Sequence, residues 1–312
     1  MSDRSIPRLL QTPAVILLLI WMLVPLSMTL FFSFIRYVLN SLRRPEWTSP
    51  SLDNWRGFGN YEYVLNAKDF WFAIQNSVFI VASILIITVV LGLAIAVLIN
   101  RTFPGRGIVR VLLISPFFVM PAVNAVLWIN MILDPVLGLQ GIAVEGLNNL
   151  IAGLQGLPII GWFFSWWPEL TPISFRATQT SAYAVIMMVA WQWTPFAVLI
   201  FMTSLQSEDE SQKEAATLDG AGAWSQFINL TVPHLARPIA IVVMIQSIFH
   251  LSLYAEIEIV SRGNGNKNLP YLIGEFSSNN IGAASATGIF AVILANIIAI
   301  FLLRMVGKSL MD

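Results

Sequence analysis

Residues Trp71–Ile99 read WFAIQNSVFIVASILIITVVLGLAIAVLI, a run without one Asp, Glu, Lys or Arg. A bilayer core of about 30 Å needs about 20 helical residues, and every backbone amide inside it must be satisfied within the segment. This run is long enough. It shows no two-residue alternation, so a membrane strand is excluded and a spanning helix is predicted.

Working outward, five further charge-free stretches reach the same length: Pro13–Ile35, Val111–Leu133, Thr178–Leu205, Pro238–Ala255 and Phe276–Leu303. The last opens on polar Ser277–Asn280, which moves its membrane part to about Ile281. A seventh stretch, Gly146–Pro168, contains Asn148, Asn149, Gln155, Pro158 and several glycines. It reads as a short interfacial element with Trp162, Trp166 and Trp167 at headgroup level. Aromatics at Asn60–Tyr63 and Phe70–Phe72 likewise fit a helix along the membrane surface. The expected fold is an all-α polytopic bundle of six transmembrane helices, with residues 1–12 a cytoplasmic N-terminus and 13–312 a single transmembrane domain.

Composition agrees. The 312 residues are 57% hydrophobic and 11% charged, against roughly a quarter charged in soluble chains. Net charge is zero, which gives no footprint for nucleic acid. The absence of cysteine excludes thiol chemistry and thiolate metal sites, and His234 and His250 stand alone without an HExxH spacing. No metal and no catalytic residue is expected. Basic Arg4 and Arg8 precede the first apolar run, which lacks a small-residue cleavage pattern and reads as a retained anchor. The connection Asn100–Arg110 carries Arg101, Arg106 and Arg110 and no acid, which places it and both termini in the cytoplasm. Arg36, Arg43 and Arg44 on the opposite side weaken that bias; a larger, folded outer loop is less subject to it.

The longest cytoplasmic connection, 206–237, is patterned. Ser207 with Glu210 has the spacing of a capping box. A helix is predicted to about Leu218, ending at Asp219-Gly220, where glycine can take the left-handed cap. A second helix, Ala221–Thr231, puts Trp224, Phe227 and Ile228 on one face. Small Ala215, Ala216, Ala221 and Ala223 around a glycine turn, beside Glu214, suit docking in another protein's groove; an ordinary amphipathic loop explains the pattern equally well. Pro233 and Pro238 mark entry to the fifth span.

Glu214-Ala215-Ala216, three residues, Gly220, nine residues, Leu230-Thr231-Val232-Pro233 resembles the EAA loop of binding-protein-dependent ABC-importer permeases. Asp219, Ala221 and Phe227 match its carbohydrate-importer form. The similarity continues through Asn76, Gly92, Ala94, Ala96, Arg101, Arg110, Pro116, Pro121, Trp128, Trp191 and Pro195. It departs at Arg262–Asn268, where the family usually has Gly-Gly-Pro. The C-terminal part, from Asn268-Leu269-Pro270-Tyr271 through Ile281–Ser285 and Asn296 to Arg304–Lys308, is similar to polyol permeases of the mannitol/sorbitol kind. The resemblance implies an inner-membrane subunit paired with a second homologous permease, gripped by a cytoplasmic ATPase dimer, and supplied by a periplasmic solute-binding protein. ATP and magnesium then belong to the ATPase, and this chain binds no cofactor. The coupling residues implied are Glu214, Ala215, Ala216, Asp219, Gly220, Ala221 and Pro233.

A neutral polyol or sugar needs donors, acceptors and aromatic faces. Gln246, His250, Tyr254 and Glu258 fall at four-residue spacing, hence on one helical face. Asn124 and Trp128 repeat that spacing in span three, and Gln192, Trp193 and Asn296 also lie in apolar stretches. Intramembrane polar side chains face the bundle interior or a wet cavity, although helix–helix hydrogen bonding uses the same residues. An acidic or modified sugar is the nearest alternative solute, with Arg262 and Lys267 as candidate cationic contacts. An ion-coupled secondary transporter would predict intramembrane acids and an inverted repeat; the six stretches contain no acid.

Overall fold

The computed structural model describes residues 5–39, 44–158 and 161–311. The expectations on residues 1–4, on Arg43, and on the side chains of residues 305–308 lie outside what is described. Among the described residues there is no strand, only isolated bridges Ile35–Trp55 and Val38–Asn280. The chain is all-helical.

Its helices are α1 Ser5–Ser33, α2 Gly59–Asn66, α3 Lys68–Asn100, α4 Arg106–Ile114, α5 Pro121–Leu127, α6 Leu139–Gln155, α7 Gly161–Phe164 and α8 Ser181–Leu205. There follow α9 Glu210–Leu218, α10 Ala223–Gln226, α11 Val232–His234, α12 Ala236–His250, α13 Ala255–Ser261, α14 Leu269–Ser277 and α15 Ile281–Met311. Gln11–Ser33, α3, α8 and Ile281–Leu302 are each long and apolar enough to cross a membrane. Two further stretches qualify as bent pairs: Arg106–Phe118 with Pro121–Ile132 at 102°, and Ala223–His234 with Ala236–His250 at 55°. Four to six spans are therefore present by length and composition.

The chain divides into two compact units. One comprises 1–74 and 269–296, the other 75–268 and 297–312. In the first, Val64, Phe70, Ala73, Leu269, Leu272, Ala283 and Ala286 form the core, with the Phe70 and Phe290 rings 5.0 Å apart. The apolar window of Gln11–Ser33 has no buried residue, and Trp21 and Leu18 point outward, as a lipid-facing helix should. The second unit is built on α8, whose apolar window is 67% buried. It is apolar all round, the signature of a central helix. Gly92 of α3 lies against it so closely that a Cβ there would come within 2.7 Å of the Ala197 Cβ and 3.3 Å of Phe201. Lipid tails are as apolar as leucine, so close van der Waals contact, rather than escape from water, holds such a pair.

The structure departs from the expected elements in four places, each with a local cause. The third stretch is broken at Val119-Met120, both extended (ψ 130° and 136°). Met120 precedes Pro121, whose ring disfavours helix at the residue before it. The fifth stretch ends at His250 rather than Ala255, and α13 starts afresh after a break at Leu251–Tyr254. The break is held by Asn268, whose amide donates to the Leu253 carbonyl at 2.7 Å. The expected Gln246–Glu258 stripe is therefore split between two helices. The predicted capping box is absent, because the N-cap is Asp209 rather than Ser207 and α9 begins two residues later, at Glu210. Finally, the second helix expected within 206–237 is α10, a π-helical turn Phe227–Thr231 and α11, with Pro233 inside it.

The stretch 146–168 contains the end of α6 and the short α7, and Trp162 and Trp166 are exposed. Neither helix qualifies as a span. α15 begins at Ile281, as expected.

Candidate functional site

α9 starts on Asp209, whose carboxylate accepts from the Ser211 amide at 3.0 Å and its hydroxyl at 2.8 Å. Ser207 instead donates to the Ser204 carbonyl at the end of α8. Asp competes well for an N-cap, since its charge faces the positive helix end. At the other end the Ala221 amide reaches the Ala216 carbonyl at 2.9 Å and the Gly220 amide reaches Thr217 at 3.0 Å. With Gly220 at φ 81°, this is a Schellman cap, and an L side chain at that position would be strained. Gln226 closes the turn, donating to the Thr217 hydroxyl at 3.0 Å and the Ala221 carbonyl at 2.9 Å.

This elbow is tied down. Glu208, its side chain 5% exposed, pairs with Lys213 at 2.8 Å and accepts from Thr231 at 2.9 Å. His234 meets the Ser204 carbonyl at 2.9 Å. The ends of α8 and α11 and the start of α9 are thus joined by side chains. Outward the elbow shows Glu214, Ala215, Asp219 and Gly220, while Ala216 and Ala221 are half-buried and Pro233 is exposed. Leu218 is 89% exposed and Trp224 73%. Two apolar side chains so exposed, on a turn this well bonded, make a rigid, partly apolar surface.

The polar residues of the apolar stretches form two adjoining clusters. Buried Asn124 donates to the Met188 carbonyl at 3.1 Å and to Gln192 Oε1 at 3.0 Å. Gln192 in turn donates to the Val119 carbonyl, which the break before Pro121 has freed. Trp128 stands edge-on to Trp191 with ring centres 5.8 Å apart. In the second cluster Gln246 accepts from Thr88 at 2.7 Å and lies 3.4 Å from the Trp193 carbonyl. His250, 1% exposed, meets the Trp193 ring edge-on at 5.0 Å. Among the described residues, both His250 ring nitrogens and the Trp128 indole N–H are buried without a hydrogen-bond partner.

Tyr254 closes the break, just before α13, and is 44% exposed. Asn296 belongs to the first unit, is exposed, and donates to Val292 in its own helix at 2.8 Å. The structure therefore gathers Asn124, Trp128, Gln192, Trp193, Gln246 and His250, and leaves Tyr254 and Asn296 out. Thr88, and Phe117, whose ring stands edge-on to Trp193 with centres 5.4 Å apart, were missed, since nothing marks either within an apolar run. Asn268 left a trace, because it opens the Asn-Leu-Pro-Tyr stretch. Asn76 anchors the 262–268 loop, its amide donating to the carbonyls of Gly265 at 3.4 Å and Lys267 at 3.1 Å. Near that loop, burial raises the Glu256 carboxyl above its usual range. Asp134 is lowered, chiefly by the amides of Leu137 and Val136.

A fold of apolar spans carrying a firmly capped elbow and a buried polar cluster fits a permease. The chain belongs to the family of binding-protein-dependent transport system inner membrane components, whose model matches residues 3–312. It is 28% identical to the inner membrane ABC transporter permease protein YcjO of Escherichia coli over 94% of this chain and 93% of that one. It is 24% identical to the trehalose transport system permease protein SugA of Mycobacterium tuberculosis, covering 99% and 91%. In fold it is similar to a chain of a bacterial alginate ABC transporter crystallised with its alginate pentasaccharide-bound periplasmic protein: TM-score 0.70, 20% identity, 96% and 93% covered.

Proposed function

We propose that this chain is one of two permease subunits of an ATP-driven importer, with six spans, both termini cytoplasmic, and α9–α10 as the helix that grips a separate ATPase. On this reading the bent pair Arg106–Phe118 and Pro121–Ile132 supplies one span and α12 another, residues 13–312 work as one permease domain, and the chain itself hydrolyses nothing. The observation that carries it is the elbow at Gly220: capped at both ends, braced through Glu208, yet presenting Glu214, Leu218 and Trp224 to the outside. A lever must be stiff within and adhesive without. Arg or Lys on the ATPase would meet Glu214, and small Ala215 and Ala216 would let the helix lie deep in a groove.

The solute we propose is a neutral polyhydroxylated molecule, delivered by a periplasmic binding protein. The C-terminal resemblance favours a polyol, and trehalose is the solute named for one relative. Buried donors and acceptors beside aromatic faces suit hydroxyls. Asn124 and Gln192 would frame the path. Trp128, Trp193, Gln246 and His250 would line it, with Tyr254 at its outer end. A second reading, an acidic sugar, is favoured by one feature: a recess of about 530 Å³ lined by Arg176, Arg262 and Glu258 among others.

The chain has no cysteine, so Glu214→Cys provides a unique label. In membrane vesicles of known sidedness it should react with an impermeant maleimide only from the cytoplasmic face, and added ATPase should protect it. Labelling from the outside would sink the proposal. Calorimetry of the cognate binding protein against polyols, neutral disaccharides and uronates separates the two solute readings.

A further inference from the structure

We infer that the recess formed by Arg36, Val38, Trp47, Arg56, Asn60 and Asn280 in the first unit binds the phosphate headgroup of an anionic phospholipid. The recess holds about 310 Å³. It lies where α1 and α15 reach the same end of that unit. Val38 bridges to Asn280, the Leu39 amide reaches the Asn279 carbonyl at 3.2 Å, and the Gly282 amide reaches Tyr37 at 3.2 Å. Both helices are apolar enough to span a bilayer, so the ends that meet here lie at headgroup depth.

The surroundings agree with that depth. Phe34 stacks on Trp55 at 5.4 Å and meets Phe58 edge-on at 5.5 Å. Trp55, Phe58 and Leu52 are 57%, 73% and 69% exposed. A cluster of this kind is costly in open water and favourable in the belt between acyl chains and headgroups.

Within this apolar rim the recess is cationic. The Arg36 guanidinium rests on the Trp47 ring, 5.1 Å from its centre, and Arg56 is aimed by one hydrogen bond to Asn60 Oδ1 at 2.9 Å. Asn60 itself is buried, and its amide donates to the Ser33 and Ile35 carbonyls at the end of α1. Arg56 therefore hangs from a fixed point. No carboxylate lines the recess, and among the described residues neither arginine has an ion-pair partner. Arginine held over an aromatic ring can still donate, and its fork matches two oxygens of a phosphate. An acidic side chain of another protein would satisfy the charge but not the exposed aromatic rim. A lipid satisfies both.

Native mass spectrometry of the full chain in detergent tests this, with phosphatidylglycerol as probe, phosphatidylcholine as the uncharged comparison and inorganic phosphate as competitor. The unaltered chain should retain phosphatidylglycerol through millimolar phosphate. Arg36→Gln should weaken that retention about tenfold, and Arg36→Gln with Arg56→Gln more. Phosphatidylcholine adducts should not change. Arg36 makes no hydrogen bond through its side chain among the described residues, so the single variant keeps the fold even if Arg56→Gln disturbs Asn60. Arg36→Lys with Arg56→Lys should keep part of the affinity. Equal phosphatidylglycerol retention by the chain and its Arg36→Gln variant would overturn the inference. Displacement by inorganic phosphate would also overturn it, assigning the recess to a soluble anion.

Discussion

At the scale of single residues, the informative side chains are those whose polar atoms are accounted for and those whose atoms are not. Asn124 and Gln192 are engaged in joining α5 to α8 across the break at Met120. Gln246 shares the Thr88 hydroxyl, which also reaches the Leu85 carbonyl at 3.1 Å. His250 differs: it is buried against Trp193 with neither ring nitrogen bonded among the described residues. A buried polar group left so costs about 1–3 kcal/mol and calls for a use. His250→Phe keeps the edge-on contact and removes both idle nitrogens. It should hold or raise the unfolding temperature while lowering solute uptake at least about tenfold, the loss of one good hydrogen bond to a solute hydroxyl. Uptake equal to the unaltered chain, with equal stability, would make His250 a packing residue only.

At the scale of elements, helix contact is set by small residues. The approach of Gly92 to Ala197 and Phe201 leaves no space for a methyl group. Gly92→Ala must push α3 off α8 or bend it, at about 1–3 kcal/mol, the cost of an overpacked core. Its unfolding temperature in detergent should fall accordingly, although alanine is the better helix former. An unchanged or higher value would mean the two helices are not locked.

This scale also shows what the sequence could and could not tell. Hydropathy located the four helices long and apolar enough to span a membrane, because an apolar run without acids has few alternatives, but not α6, which begins at Leu139. Gly220 announced its own left-handed turn. The breaks were harder. Pro116 and Pro121 were visible, but membrane helices often absorb proline, so the 102° bend at Met120 could not be separated from a kink. The interruption after His250 depends on Asn268, many residues away, whose side chain satisfies the Leu253 carbonyl. No local pattern encodes that. The stripe Gln246–His250–Tyr254–Glu258 failed for the same reason, since a periodicity argument assumes an unbroken helix. Of the candidate path, the intramembrane amides were legible as polar atoms in apolar runs. Their partners, Thr88 and the backbone carbonyls, were not.

For the whole molecule, the proposed work of the chain is to turn motion at α9 into motion of the spans. A change at one site moves another only if the element between them favours one of two arrangements and does not yield. The path runs from α9 through Lys213 and Glu208 to Thr231 in the π-helical turn, then through His234 back to Ser204 at the end of α8. α8 carries Gln192 and Trp193, so the elbow and the polar cluster share one helix. Gly220→Asp strains the Schellman cap, since an L residue in the left-handed region costs about 1–2 kcal/mol, and it adds charge where the ATPase would dock. Glu214→Lys reverses an outward charge beside Ala215 and Ala216. Both changes lie outside the apolar spans, so the variant chains should insert and keep their thermal stability within about 1 kcal/mol of the parent, apart from the cap. In vesicles with binding protein and ATPase, either variant should still permit ATP hydrolysis at the ATPase's own basal rate, while solute-stimulated hydrolysis and uptake fall together. Thr231→Val tests the brace without touching the docking face: ATPase binding should persist while the ratio of solute moved to ATP hydrolysed declines. Undiminished coupling in all three variants would show that α9 transmits nothing, because together they test the docking charge, the cap and the brace.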